Sequence, residues 1–153
     1  MVEGRIQILA HRTEDTVWQK RWLSHPNGAV GLIDMVVASA DVPEAAGRFA
    51  RFTGREAHTT KFGQAIRLDR GQVQIVTADA FARLFPEAPI PRLPFMGAYA
   101  IKVQSVAVLA DLLRRESIAF RNAGAALVVP FPDELGVGVW VFAENSAELS
   151  WRR

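Results

Sequence analysis

The chain repeats its own plan. Sliding the sequence by 64 residues lays Val37 on Ile101, Ser39 on Val103, Val42 on Val106, Ala45 on Leu109, Ala46 on Ala110 and Phe49 on Leu113. Residues that would be buried on one strand and one helix face therefore meet their equivalents. In the first copy, residues 32–39 form a β-rich run, and Asp41-Val42-Pro43-Glu44 supplies an N-cap, a proline in the first turn and an early acid. The helix this opens runs to about Thr53 and stops at Gly54. Three short strands follow near 57–62, 65–68 and 72–77. Residues 78–85 read as a helical connector, and Pro86, Pro89, Pro91 and Pro94 make an extended linker. The second copy has a strand over 96–104, an amphipathic helix over 106–116, and strands near 119–122, 126–131 and 137–143. Both copies read βαβββ. The expected fold is α+β, two tandem βαβββ units giving eight strands in a mixed sheet, at 29–94 and 95–153. Residues 1–28 precede them with an extra strand over 5–12 and a short helix carrying Val17, Trp18, Trp22 and Leu23, stopped at His25-Pro26-Asn27-Gly28.

Composition narrows the partners. Half of the 153 residues are hydrophobic, 22% are charged and the net charge is +2, which suits a packed soluble domain. No basic run interleaved with aromatics suggests nucleic acid, and no stretch approaches the ~18 apolar residues of a membrane span. The absence of cysteine excludes a disulfide framework, a thiolate nucleophile and a Cys-ligated metal. A cytoplasmic location is the default expectation.

The tandem βαβββ order, with the first helix opening on Ala40-Asp41-Val42-Pro43-Glu44-Ala45-Ala46, resembles the vicinal oxygen chelate superfamily of glyoxalases, fosfomycin-resistance proteins and extradiol dioxygenases. The connector Trp18–Gly28 is similar, more narrowly, to that of bacterial glyoxalase-like domain proteins. In longer relatives of that kind a like connector precedes the C-terminal repeat pair. The resemblance spans residues 5–144 and implies that each unit folds half a cup, and that residues 1–12 correspond to the end of a preceding unit.

The resemblance also implies a divalent metal, held by one residue early in each first strand and one in each last strand. The first-strand ligand stands seven residues before the Asp that opens the helix. That position is Asp34 in unit one and, counted from Ser105, Ala98 in unit two, and alanine cannot ligate. The last strands offer Gln74 or Val76, and Trp140 or Val141. With Asp34 and Gln74 as the two donors the set falls short of the three or four converging ligands a metal needs, and Glu144 reads as a solvated residue at a strand exit before a displaced carboxylate ligand. No cofactor is expected; a divalent metal is the alternative. His11, His25 and His58 stand apart from one another and from metal spacing, and read as structural. No phosphate-binding Gly-x-Gly-x-x-Gly or nucleophile elbow occurs, and Gly136-Val137-Gly138 reads as a turn and a close backbone approach. Asp34 beside Arg67 or Lys102 reads as an ion pair before an acid/base couple.

Alternation along the strands puts Asp34, Val36 and Ala38 on the inner face with Ala98, Ala100 and Lys102. Met35, Val37, Tyr99, Ile101 and Val103 then pack beneath Phe49, Leu109 and Leu113. The expected function is a glyoxalase-like protein that binds a small molecule in its cup through Asp34, Val36, Gln74, Ala98, Ala100, Lys102 and Trp140, with Lys102 as the polar contact. Two alternatives stand beside it: a metal-dependent lyase, isomerase or dioxygenase, and a structural or dimerisation module without a site. An inward carboxylate cluster would mark the former and a cup filled by its own Trp and Phe side chains the latter. An unpaired strand over 5–10 would be covered by a second copy, which makes a homodimer the expected assembly.

Overall fold

The computed structural model describes residues 10, 12–17, 19, 21 and 24–152. The strand expected over 5–12 and the side chains of Trp18, Trp22 and Leu23 lie outside the described residues, save that Ala10 and Arg12 are not in a strand. A single helical turn, α1, covers Glu14–Val17.

The strands that follow are β1 (Ala29–Ala38), β2 (Ala57–Thr60), β3 (Gly63–Leu68), β4 (Gly71–Val76), β5 (Phe95–Val103), β6 (Arg121–Ala123), β7 (Ala126–Pro130) and β8 (Val139–Ala143). Among the described residues they form one mixed, open sheet of eight strands in the order β2-β3-β4-β1-β5-β8-β7-β6. The order reads the same from either edge once unit two is renumbered on unit one. β1 and β5 meet antiparallel at the seam, while β1 lies parallel to β4 and β5 parallel to β8. The eight-stranded α+β architecture expected from the repeat is the one observed.

Helices α2 (Val42–Thr53) and α4 (Val106–Arg115) cover one face of the sheet. Their starts are fixed by side chains that satisfy free amides: Asp41 accepts from Glu44 N at 2.9 Å and Ser105 from Val108 N at 3.3 Å. Glu144 adds to the second cap by accepting from Val106 N at 2.8 Å. Gly54, at φ 66°, ends α2 in the left-handed conformation that glycine takes without penalty. Phe49 of α2 packs with Val37, Ile66, Val73 and Ile75 of the sheet, and Leu109 and Leu113 of α4 with Val103, Leu127 and Phe142. Period-two alternation sends the intervening residues to the other face.

That other face carries a third cluster. Helix α3 (Ala78–Leu84), which ends the first unit, and the C-terminal residues after β8 both turn inward onto it. Thr77 caps α3 by accepting from Ala80 N at 3.2 Å. The helix drops Phe81 and then Phe85 onto Val36, Ala38, Ala98 and Ala100, and Leu149 and Trp151 close over them from the C-terminus. Small strand residues make the room that these large rings occupy.

Candidate ligand-binding site

Asp34 sits at the floor of the cup and is 2% exposed. Its Oδ2 accepts from Trp151 Nε1 at 2.8 Å and from Arg152 Nε at 2.9 Å, while its Oδ1 accepts from Arg152 Nη2. A bidentate guanidinium and an indole N–H thus satisfy both oxygens of the buried carboxylate. The rings above are locked edge-on, with Phe81 to Phe85 at 5.1 Å and Phe85 to Trp151 at 5.6 Å between centroids. Behind α3, Glu87 accepts a two-pronged hydrogen bond from Arg121, whose Nη2 also donates to Leu84 O at 3.1 Å. Burial raises the Glu87 pKa, but Arg121 and the local backbone amide outweigh it and leave the group below the usual carboxylate range. This clamp ties the linker to β6 and holds α3 in the cup.

These contacts determine which donors remain free for a metal. The guanidinium of Arg152 lies where a cation bound to Asp34 would have to stand. Gln74, fully buried on the same face, gives its amide N–H groups to Thr60 Oγ1 at 2.8 Å and Gln64 O at 3.2 Å, and its Oε1 has no partner. Ala98 and Ala100 face the cup with no donor atom in their side chains. Glu144 is spent on the α4 cap. Among the described residues no three His, Asp or Glu side chains converge. The residues present do not fit a divalent metal.

The other sequence-selected residues separate into two groups. Val36, Ala98 and Ala100 do line the cup but are fully buried beneath Phe81, Phe85 and Trp151, so they are core rather than open wall. Lys102 follows them on the cup side by alternation, next to Ala143, and is exposed at the far end of β5. Trp140 is a correction. Val139 and Val141 take the cup side of β8, so Trp140 points the opposite way and helps line an apolar cavity of about 520 Å³ beneath α4 with Leu109, Leu113 and Phe131. Of the histidines, His25 bonds Asn27 in the connector at 2.6 Å, His58 faces the cup from β2, and His11 lies outside the described residues.

The part of the cup that stays open is its mouth in unit one. A cavity of about 400 Å³ lies between β2–β3 and the C-terminal residues, lined by His58, Thr60, Lys61, Arg67, Gln72, Ser146, Ala147, Trp151 and Arg152, with Thr59 at its edge. Sequence reading treated Arg67 only as a partner for Asp34 and passed over Lys61, Trp151 and Arg152. The signal for Arg67 was present: it shares a face with Ala65 and pairs across to Gln72, which shares a face with Gln74. The C-terminal pair gave only the weaker hint of a tryptophan in a short polar tail.

No protein-family model matches the chain, and no curated protein does. Solved structures do. The crystal structure of methylmalonyl-CoA epimerase from Mycobacterium tuberculosis superposes with a TM-score of 0.58 at 15% identity, over 80% of this chain and 92% of that one. A glyoxalase/bleomycin resistance protein/dioxygenase from Nocardioides aligns over 85% of this chain and 91% of its own at 18% identity, with a TM-score of 0.33. A variant of Streptomyces coelicolor methylmalonyl-CoA epimerase, in complex with 2-nitronate-propionyl-CoA, aligns over 74% of this chain and 97% of its own at 11% identity, with a TM-score of 0.47. The first of these matches, taken with the mirrored strand order, shows that the chain shares the fold of that methylmalonyl-CoA epimerase structure.

Proposed function

We propose that this protein binds a small molecule in the mouth of its first half-cup, without a metal and without chemistry at the cup's centre. The observation that carries the reading is the contrast between the two zones. The centre is packed by Phe81, Phe85 and Trp151, while the mouth keeps about 400 Å³ walled by polar and cationic side chains. Asp34, the residue best placed to act on a ligand at the centre, has both oxygens engaged by Arg152 and Trp151. A metal-dependent lyase, isomerase or dioxygenase is disfavoured on the same ground. A structural or dimerising module is the second reading, and the filled cup is the observation that favours it. A cytoplasmic homodimer is part of the proposal.

The test is a mixture of small metabolites and neutral fragments titrated into isotopically labelled protein, read by backbone amide shifts. Ligand binding at the mouth moves the amides of residues 58–61, 67, 72 and 146–152, and leaves those of Ala98 and Ala100 in place. Ala147→Trp, a substitution at an exposed rim position, should block the response. Shifts centred elsewhere, or binding that survives Ala147→Trp unchanged, overturn the reading.

A further inference from the structure

We infer that the ligand of the mouth is a small oxyanion, a carboxylate or a phosphoryl group, gripped by Thr60, Lys61 and Arg67. The inference rests on the mouth being the ligand site and adds the chemistry of what enters it.

The argument starts with a hydroxyl. Thr60 Oγ1 accepts the amide of Gln74 at 2.8 Å, so its own proton remains to be donated, and no acceptor for it occurs among the described residues. The direction of that hydrogen bond turns a neutral side chain into a donor facing the cavity.

The charged groups agree in sign. Arg67 and Lys61 line the same cavity, and neither has a carboxylate within ion-pair distance among the described residues. Lys61 Nζ stands 5.4 Å from the centroid of the Phe62 ring, a contact that steers the ammonium without neutralising it. Arg152 is also in the wall, but Asp34 cancels its charge. Asp34, behind the wall, is engaged by Arg152 and Trp151, and Glu56 lies in the shallow groove that adjoins the mouth and shares His58 and Arg67 with it. A cavity that presents a hydroxyl proton, a guanidinium and an ammonium is complementary to an acceptor with negative charge. A volume of about 400 Å³ admits a small metabolite.

The experiment uses the full chain, with succinate, inorganic phosphate and succinamide as probes at a constant ionic strength set by sodium chloride, read by amide shifts. The expected result is a saturable movement of residues 58–61, 67 and 72 with succinate or phosphate and none with succinamide. Response to succinate alone assigns a carboxylate ligand; response to phosphate alone assigns a phosphoryl group. Arg67→Gln, on an exposed side chain, weakens the responding probe by about tenfold, and Arg115→Gln, an equal loss of charge on α4, leaves it unchanged. Succinamide binding as well as succinate at the same residues overturns the oxyanion while the mouth stands as the ligand site. Equal weakening by Arg67→Gln and Arg115→Gln overturns it as a general charge effect. If none of the three probes moves these residues, the oxyanion falls; the neutral fragments then decide whether the mouth falls with it.

Discussion

Trp151→Ala is the most demanding perturbation of the plugged cup, because this residue lies beyond the last described strand and folds back to fill the cup. Here the indole is 2% exposed, stacks edge-on against Phe85 at 5.6 Å and donates to Asp34 at 2.8 Å. Replacing a buried aromatic by alanine costs about 3–5 kcal/mol when the surroundings cannot collapse. The surroundings here are a sheet floor and a helix clamped by Glu87 and Arg121, which resist collapse. The cost should therefore reach about 4 kcal/mol, roughly a quarter or more of the stability of an ordinary domain. A chain of this size would lose roughly 8–16 °C in Tm. Trp151→Phe keeps most of the ring and removes the N–H, so it should cost about 1–2 kcal/mol. Urea unfolding followed by far-UV circular dichroism measures both, with the slope unchanged if the native state stays compact. A loss below about 0.5 kcal/mol for Trp151→Ala, the range of an exposed substitution, would refute the plugged cup.

Three further outcomes are expected. Glu87 has a pKa lowered in the fold, so its contribution is complete above the ordinary carboxylate value of about 4.3 and is lost as pH falls through the lower folded value. Stability measured between about pH 5 and pH 3 should therefore fall more steeply for the parent than for Glu87→Gln, and parallel curves would show that Arg121 does not hold the acid. Elemental analysis of purified protein should find no stoichiometric divalent metal, since Arg152 stands on Asp34; about one metal per chain would mean that a different donor set had assembled. Light scattering should report a dimer, because Leu32 at 59% and Leu68 at 40% exposure share one apolar depression beside β1; a monomer at every concentration sinks that expectation.

Local chemistry was legible in the sequence, and long-range closure was not. Asp41, Ser105 and the two helices they cap could be read because a cap and a period depend on neighbours a few residues away. The inward faces of β1 and β5 followed from alternation, which placed Asp34, Val36, Ala98 and Ala100 on the cup side as observed. The same logic failed at Trp140, because β8 offered no capped helix to fix its phase and a one-residue slip reverses every side chain. Residues 78–85 read as a helix, but nothing within them says that Phe81 and Phe85 fill a cup made by residues on both sides of the repeat. Trp151 and Arg152 find Asp34 across nearly the whole chain, and Lys61 and Arg67 become one wall only after β2 and β3 fold against that closure.

The tie between Asp34 and Trp151 joins residues 117 apart in sequence, and this gives the order of synthesis a physical meaning. A chain emerging from the ribosome can pair its first strands and cap α2 early, yet an acidic residue and the floor around it stay uncovered until residues 149–152 have emerged. Domains tend to form as units from the N-terminus onward during synthesis. Here a segment made more than a hundred residues later completes the interior of the first piece. A nascent chain that has not yet reached residue 149 holds a sheet with an open hydrophobic trough, the kind of surface that invites chaperones or neighbouring chains. Emergence of residues 149–152 is thus also the step that seals the fold.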